Sequence, residues 1–298
     1  MAKKNADRSS GTVAQRIEDA ATRFERAGLF YGHGTHNAYD EAAWLMLHAL
    51  AAPIDALDSR LDQVPAPKHA ERFEQLVAQR IEKRVPAAYL IHEAWLGERR
   101  FYVDERVIVP RSFIAELLAE EFAPWIVDAN KVAAVLDMCT GSGCLAILAA
   151  LTFPNAKVDA VDLSDDALAV AQRNIADYDL QDRVKPIRSD LFRSLPRKQY
   201  DLIISNPPYV DAPSMKALPD EYRHEPAMAL ASGRDGLDAT RTILREAKHH
   251  LTDNGLLVVE IGHNRGQLER AFPHLPFTWL EVSAGDEYVF LLERKQLL

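Results

Sequence analysis

The stretch VLDMCTGSGC, residues 135–144, joins an apolar strand pattern, a glycine-containing loop and the first residue of a helix pattern. Gly141 and Gly143 let the backbone pass close to a ligand over the carboxyl end of the strand, where open α/β sheets bind their ligands. Ala146 and Ile147 follow instead of the third glycine of a dinucleotide-binding turn, and no Lys-Ser/Thr pair is present to cradle a triphosphate. We therefore expect the first strand of an α/β sheet whose ligand is neither a dinucleotide nor a triphosphate.

Strand-like and helix-like segments alternate from Phe113 onward, which is typical of a parallel, doubly wound sheet. The later strand patterns are KVDAVDL (157–163), VKPIRSD (184–190), YDLIISN (200–206) and GLLVVEIG (255–262). The final segment, residues 277–294, contains two strand patterns joined by Ala284-Gly285-Asp286, a connection short enough for antiparallel pairing. This pattern predicts a Rossmann-like, seven-stranded α/β sheet with an antiparallel last strand, the architecture of class I methyltransferases.

The residues before this sheet have helical periodicity. Apolar residues recur at three- and four-residue spacing in 13–30 and 41–50. Around Gly97 the pattern changes to aromatic and β-branched residues, which indicates a hairpin. We expect a helical domain over 1–84, a β-hairpin connector over 85–112 and a catalytic domain over 113–298. Because the helical part contains no cofactor or acceptor motif, we expect it to recognise the substrate.

Composition and charge restrict the kinds of protein that this chain can be. Its 298 residues are 48% hydrophobic and 27% charged, as in ordinary globular proteins. The sequence has no apolar run long enough to cross a bilayer and only two cysteines, so we expect a cytoplasmic protein without a disulfide framework or a metal site. A net charge of -9 disfavours binding through many phosphates and suits a basic partner. We expect no membrane association and no direct sequence-specific binding of nucleic acid.

Carboxylates stand at the ends of three successive strand patterns. Asp162 can accept hydrogen bonds from both hydroxyls of a ribose. Asp137 would repel a pyrophosphate but suits the sulfonium and amino group of S-adenosylmethionine. Asp190 can accept from an adenine amino group beside the apolar surface of Leu191, although any one of these acids alone fits an ordinary cap. The predicted S-adenosylmethionine site consists of Asp137, Thr140, Gly141, Gly143, Asp162, Asp190, Leu191 and Asn206.

The tetrapeptide Asn206-Pro207-Pro208-Tyr209 follows the fourth strand pattern directly. The two prolines restrict the backbone and hold Asn206 at the strand end. A planar NH2 group has two donors, and the Asn206 side-chain oxygen and the Pro207 carbonyl can accept both, which leaves the nitrogen lone pair directed at a methyl group. Tyr209 can lie against the flat face of an amide or a base. The motif predicts methylation of a planar amino group without a metal or a covalent intermediate.

Several stretches resemble the HemK-type protein glutamine methyltransferases, and the likeness spans nearly the whole chain. The similar stretches are VLDMCTGSGCLAI, VDAVDLS, SDLF and SNPPYV. The resemblance implies methyl transfer to the side-chain amide of a protein glutamine, giving N(5)-methylglutamine. It also implies that Asn206, Pro207 and Tyr209 are catalytic, that Pro208 and Arg111 contact the substrate as well, and that Asp162 holds the ribose. Glu225-Pro226 and Arg111 resemble recurring family positions whose physical role the sequence leaves open.

Three other stretches resemble the branch of this family that acts on large-subunit ribosomal protein L-three. They are YGHGTHNAYDEA (31–42), VPRSFIAEL (109–117) and DEYRHEPAMALASGRDGLD (220–238). Release-factor enzymes usually have Pro-Arg-Pro, then Asp or Glu, Thr and Glu at the hairpin exit, where this chain has Ser112, Phe113 and Ile114. An acidic enzyme also suits a basic ribosomal protein. The resemblance leaves open whether the substrate is free or part of a ribosome assembly intermediate.

Three alternatives remain at this point. A release-factor glutamine methyltransferase would use the same residues on another protein. A nucleic-acid amino methyltransferase would stack a base on Tyr209. A noncatalytic module would bind S-adenosylmethionine and dock through its helical domain, which the intact Asn206 and Tyr209 argue against. The resemblance assigns no chemistry to His33, His36 or His224.

Overall fold

The computed structural model describes residues 11–297, which form two compact units. The first unit has two chain segments, the described residues up to Glu93 and the short segment Pro219–His224. The second comprises Ala94–Leu218 and the residues from Glu225 onward. These bounds differ from the predicted ones, because the helical unit extends beyond residue 84 and gains a segment from the catalytic sequence. Residues 1–10 of the predicted helical domain lie outside the described residues.

The first unit is helical, as its periodicity predicts. Its helices are α1 (Val13–Arg26), α2 (Ala38–Ala49), α3 (Pro67–Lys83) and α4 (Ala87–Ile91). Thr12 and Gln15 form a capping box at the start of α1, and the Asn37 side chain accepts from Asp40 N at the start of α2. The unit extends to Glu93 because α4 continues the helical region and the Glu93 carboxylate accepts from the Trp44 indole at 3.3 Å.

A buried charge network explains why Pro219–His224 belongs to the helical unit. Arg80 is 1% exposed and pairs with Glu41 at 2.7 Å and with Glu221 at 3.2 Å. Glu221 also pairs with Arg84 at 3.2 Å and accepts from Phe30 N at 3.1 Å. Buried charges persist only when they are paired in this way. The sequence gives no local signal for this contact, because Glu221 lies 141 residues from Arg80.

The second unit begins with the predicted hairpin and continues into the predicted sheet. Strands β1 (Ala94–Leu96) and β2 (Arg99–Phe101) pair antiparallel around Gly97. The sheet strands are β3 (Ala134–Met138), β4 (Lys157–Asp162), β5 (Val184–Arg188), β6 (Tyr200–Ser205), β7 (Leu251–Glu260), β8 (Thr278–Val282) and β9 (Gly285–Glu293). Their order is β5-β4-β3-β6-β7-β9-β8, with β9 antiparallel to both neighbours and the other pairs parallel. The predicted seven-stranded Rossmann-like architecture is confirmed.

Helices cover both faces of the sheet. The helices of the second unit are α5 (Ile114–Ala119), α6 (Cys144–Thr152), α7 (Asp165–Asp177), α8 (Ala212–Ala217), α9 (Asp238–His250) and α10 (Arg265–Ala271), of which α8 has no buried residue and is not part of this cover. Successive residues of a strand point to opposite faces, so Leu202 and Ile204 join the core cluster with α5 and α6, whereas Ile203 joins the cluster with α9 and α10. Because β3 to β7 pair in parallel, their carboxyl ends meet at one edge of the sheet. Within residues 11–297, no helix is long and apolar enough to cross a membrane.

Candidate active site

A cavity of about 380 Å³ lies at the carboxyl ends of the parallel strands in the second unit. This volume falls within the range of small-molecule sites. The predicted cofactor residues that line it are Gly141, Asp162, Asp190, Leu191 and Asn206. Three other predicted residues, Asp137, Thr140 and Gly143, are not part of its lining.

Asp162 ends β4 and connects two loops at the cavity. Its Oδ2 accepts from Gly141 N and its Oδ1 accepts from Ser164 N, both at 2.9 Å. Burial raises the pKa of the Asp162 carboxyl, and the backbone hydrogen bonds oppose that rise. The carboxylate is thereby fixed in orientation, and each oxygen retains capacity to accept from a ligand hydroxyl.

Asp137 is a fully buried carboxyl at the end of β3. Its Oδ2 accepts from the Thr140 hydroxyl at 2.5 Å, whereas its Oδ1 is buried and has no hydrogen-bond partner among residues 11–297. Burial raises the pKa of Asp137 to about 7, and the hydrogen bond from Thr140 opposes that rise. A buried acceptor oxygen without a partner suits the amino group of S-adenosylmethionine, so the residues present fit this cofactor.

The two glycines of the loop have different surroundings. Both have positive φ, +53° at Gly141 and +80° at Gly143. A Cβ at Gly141 would meet no atom within 4 Å, and this residue lines the cavity. A Cβ at Gly143 would lie 3.0 Å from the Ala171 Cβ in α7. Gly143 therefore allows close packing of a helix rather than forming the wall of the cavity.

Asp190 and Leu191 follow β5 at the cavity. Asp190 is half exposed and its carboxylate lies 3.6 Å from Arg193, a weak surface pair that leaves it accessible to a ligand. Leu191 has φ +49°, a left-handed conformation that non-glycine residues adopt rarely. Both residues line the large cavity, and their contact with an adenine stays a prediction.

Asn206 connects the large cavity to a second, narrow one. The narrow cavity has a volume of about 20 Å³ and is lined by Ile108, Arg111, Asn206, Pro207, Tyr209, Val210, Ala229 and Leu230. Asn206 lines both cavities. Its Nδ2 donates to the Arg111 carbonyl at 3.1 Å, so the orientation of the amide is set and its Oδ1 is the atom available to accept an N–H.

Arg111 and Glu225 form a bidentate ion pair. Both guanidinium nitrogens lie 2.6 Å from the Glu225 carboxylate, whose side chain is fully buried. Glu225 Oε1 also accepts from Val109 N at 2.9 Å. The predicted substrate-contact residue Arg111 thus uses its side chain to hold Glu225 and its carbonyl to hold Asn206. These contacts supply the physical role that the sequence left open.

The structure adds residues that the sequence did not single out. Glu260 ends β7 with its carboxylate buried, where Oε2 accepts from the Ser112 hydroxyl at 2.6 Å and from Phe113 N at 2.9 Å. Burial raises the pKa of Glu260 to about 7, and these hydrogen bonds oppose that rise. The sequence feature that could have pointed to this contact was the unusual Ser112-Phe113 pair after Arg111. Glu260 thereby fixes the hairpin exit that supports Asn206.

The histidines that the sequence left unassigned, His33, His36 and His224, line neither of these two cavities. His33 is buried in the first unit against the Tyr222 ring, with centroids 4.5 Å apart, and His224 Nε2 lies 2.9 Å from the Lys83 carbonyl. In the part of the chain that the structure describes, no group of three or more His, Cys, Asp or Glu side chains is placed to hold a metal ion.

Comparisons with known proteins agree with this fold. The Methyltransferase small domain family matches residues 115–221, and the PrmC N-terminal domain family matches residues 17–91. The catalytic domain of hMettl16, solved with the MAT2A 3'UTR hairpin 6, covers 76% of this chain and 80% of its own length at a TM-score of 0.51 and 15% identity, which shows the shared fold alone.

Full-length relatives are much more similar. The ribosomal protein uL3 glutamine methyltransferase of Neisseria gonorrhoeae is 56% identical, with 96% of each chain covered. The protein of the same name from Burkholderia pseudomallei is 53% identical, with 96% of this chain and 95% of its own covered. With this identity over nearly the whole length of both chains, the protein belongs to the family of ribosomal protein uL3 glutamine methyltransferases.

Proposed function

We propose that this protein transfers a methyl group from S-adenosylmethionine to the side-chain amide nitrogen of a glutamine in ribosomal protein uL3, giving N(5)-methylglutamine. One observation carries the proposal. Asn206 lines both the large cavity and the narrow one, and its Oδ1 is the amide atom available to accept from an incoming NH2 group. The proposal also rests on membership of a family whose relatives carry this name.

Asn206 and Pro207 would hold the acceptor amide. An amide nitrogen is a poor nucleophile because its lone pair is delocalised into the carbonyl group. Two acceptors, Asn206 Oδ1 and the Pro207 carbonyl, bind the two N–H groups more strongly as the nitrogen becomes pyramidal, so they stabilise the transition state more than the ground state. The same two contacts direct the lone pair toward the large cavity. S-adenosylmethionine supplies an electrophilic methyl group there when it is bound.

The residues around the large cavity would hold that cofactor. Asp162 would accept from the ribose hydroxyls, since its carboxylate is already oriented by Gly141 N and Ser164 N. Asp137 Oδ1 would accept from the amino group of the methionine part. Asp190 and Leu191 would contact the adenine.

The relatives and the charge of the chain support an amide rather than a nucleobase as acceptor. Relatives that are 53–56% identical to this chain are named glutamine methyltransferases. The net charge of -9 also suits a basic ribosomal protein better than a nucleic acid. We therefore favour the protein glutamine, and we place the reaction in the cytoplasm, on uL3 free or within a ribosome assembly intermediate.

The helical unit would select the protein substrate, since it contributes none of the residues that line either cavity. A chimera that joins the helical domain of a release-factor enzyme to residues 85–298 of this chain tests this role. We expect it to bind S-adenosylmethionine normally and to lose activity on uL3. Parent-level activity on uL3 would place recognition in the second unit.

The acceptor itself is tested by competition. Equal amounts of unmodified uL3, a release factor and a duplex RNA are incubated with the enzyme and methyl-labelled S-adenosylmethionine, with a parallel sample of ribosomal particles that contain unmodified uL3. We expect label on uL3 alone, located by mass spectrometry at a glutamine. Preferential labelling of the release factor or the RNA would contradict the proposal. Asn206→Ala is the control for label that does not depend on this site.

A further inference from the structure

The Tyr209 ring lies against Gly262, a position where no side chain larger than hydrogen would fit. Gly262 follows β7 and has φ +55°. A Cβ at this position would lie 2.6 Å from Tyr209 Cε2, 2.8 Å from Cδ2 and 3.2 Å from Cζ. Carbon atoms in van der Waals contact are about 3.5–4.0 Å apart, so any side chain here would have to displace the ring. The Tyr209 ring therefore occupies space that is available only because residue 262 is a glycine.

A second glycine and an asparagine enclose the backbone of the same residue. A Cβ at Gly236, which has φ +79°, would lie 2.4 Å from the Tyr209 carbonyl oxygen and 2.7 Å from Asn264 Nδ2. That Nδ2 donates to the Tyr209 carbonyl at 2.7 Å. The ring and the carbonyl of Tyr209 are thus fixed by two loops, residues 261–264 between β7 and α10 and the loop before α9.

We propose that Gly236, Gly262 and Asn264 are positioning residues for the methylation reaction, because they hold Tyr209 in the place from which its ring orients the acceptor amide. This inference rests on the proposed role of Tyr209. None of the three lines either cavity, so they act through Tyr209 and not by touching cofactor or acceptor. Tyr209 itself lines the narrow acceptor cavity but not the large one. Their substitution should therefore change methyl transfer and leave cofactor affinity intact.

The size of the effect follows from the displacement. A Cβ at Gly262 would require the ring to move by about 1 Å to reach normal contact distance, and a misplacement of that size can reduce the rate about 10²-fold. The acceptor amide would then lose its flat support while Asn206 and Pro207 remain in place.

Backbone strain needs a matched control, because alanine at a positive φ destabilises any loop. Gly97 has φ +58°, nearly the same as Gly262, but a Cβ there would meet no atom within 4 Å. Gly97→Ala thus introduces the same strain without a contact. Asn264→Ala provides a second probe, since it removes the hydrogen bond to the Tyr209 carbonyl and adds no volume.

The experiment compares Gly262→Ala, Asn264→Ala and Gly97→Ala with the wild type. We expect Gly262→Ala to lower kcat on unmodified uL3 about 10²-fold and Asn264→Ala about 10-fold, with the Kd for S-adenosylmethionine changed less than about 2-fold in both. Gly97→Ala should retain kcat within about 2-fold. Equal losses in Gly262→Ala and Gly97→Ala would mean that strain alone is responsible, and would overturn the inference.

A double-mutant cycle tests whether Gly262 acts through Tyr209. Gly262→Ala introduced into Tyr209→Ala should cause no further loss of kcat, because the displaced ring is already absent. A second loss of full size would mean that Gly262 acts independently of Tyr209 and would contradict the inference.

A spectroscopic measurement separates this inference from the proposed function. In protein labelled with ¹³C at the tyrosine rings, the Tyr209 signal is assigned by its loss in Tyr209→Phe. That signal should shift in Gly262→Ala and stay in place in Gly97→Ala, whether or not uL3 is the acceptor. An unshifted signal would refute the contact itself, whereas a shifted signal with no activity on uL3 in the wild type would refute only the proposed acceptor.

Discussion

The two cavities of the second unit share Ile108, Asn206 and Ala229 but differ in the rest of their walls. The large one, of about 380 Å³, is lined mainly by residues at or just after the ends of β3, β4 and β5, together with residues of the segment 226–242. The narrow one, of about 20 Å³, is formed by the hairpin exit, the loop after β6 and residues 229–230. Cofactor contacts thus arise mainly at successive strand ends, whereas acceptor contacts depend on segments that are distant in sequence. Substitutions in the two groups should therefore affect different steps.

The largest expected effect is on methyl transfer in Asn206→Ala. Loss of one preorganised group that stabilises a transition state typically costs about 10²–10³-fold in kcat. Affinity for S-adenosylmethionine should remain within a few-fold, because Asn206 acts on the acceptor. Single-turnover rates and calorimetry separate the two quantities. Turnover near that of the wild type would show that the amide is not held here.

Asp162→Ala should produce the opposite pattern. Removing a charged acceptor from two hydroxyls is expected to cost roughly 1.5–3 kcal/mol of S-adenosylmethionine binding. The rate at saturating cofactor should change far less. Calorimetry measures the loss, with Asp165→Ala, an exposed acid at the start of α7, as the control. Unchanged affinity in a folded Asp162→Ala would place the ribose elsewhere.

A smaller effect on function is expected from Glu225→Gln, which removes the charge that pairs with Arg111. Breaking a buried ion pair costs about 3–5 kcal/mol, and the partial exposure of Arg111 should bring the loss of unfolding free energy to the lower end of that range. Because Arg111 also supports Asn206, we expect kcat to fall about 10-fold with cofactor affinity retained. Denaturant unfolding and kinetics test this, with Asp253→Asn in the exposed pair with Arg294 as control. Loss of cofactor affinity would contradict the separation of the two cavities.

The smallest expected effect is the release of a proton from Asp137 when the cofactor binds. Burial raises the pKa of its carboxyl to about 7, so in the cofactor-free protein its contribution to stability is fully present below about pH 4 and is lost as the pH rises toward 7. A bound ammonium group would favour the ionised form and lower this pKa. We therefore expect release of part of a proton when S-adenosylmethionine binds near pH 6.5.

Calorimetry in buffers with different ionisation enthalpies measures that release. The proton should disappear in Asp137→Asn, whereas Glu260→Gln, which removes another buried carboxyl with pKa about 7, should retain it. Equal proton release in the wild type and Asp137→Asn would show that Asp137 does not meet the amino group.

The contrast between local patterns and contacts that are distant in sequence also explains how much of the structure the sequence could predict. The succession of strands and helices, the glycine loop, the strand-end acids and Asn206-Pro207-Pro208-Tyr209 are contiguous patterns, so the sequence could predict which strand each of them follows. Arg111 and Glu225 lie 114 residues apart, so no local pattern reveals their pairing. The role of Glu221 in the helical unit was missed for the same reason.

The glycines show most clearly what could not be predicted from the sequence alone. Gly143 was predicted to face the cofactor, yet its missing side chain accommodates Ala171. Gly236 and Gly262 attracted no prediction, because their function depends on the position of the Tyr209 ring, which is set only when β6 and β7 pair. A glycine in a sequence indicates backbone freedom or close approach, but only the structure identifies the neighbour.

The central claim is that the narrow cavity holds the side-chain amide of a protein glutamine. Unmodified uL3 labelled with ¹⁵N at its glutamine side chains, reacted with S-adenosylmethionine carrying a ¹³C methyl group, tests this claim at the level of the bond formed. The account predicts a one-bond ¹³C–¹⁵N coupling in the product with the wild-type enzyme, and product formation about 10²–10³-fold slower with Asn206→Ala. Incorporation of the methyl group without that coupling would mean that another atom is methylated, and would contradict the account.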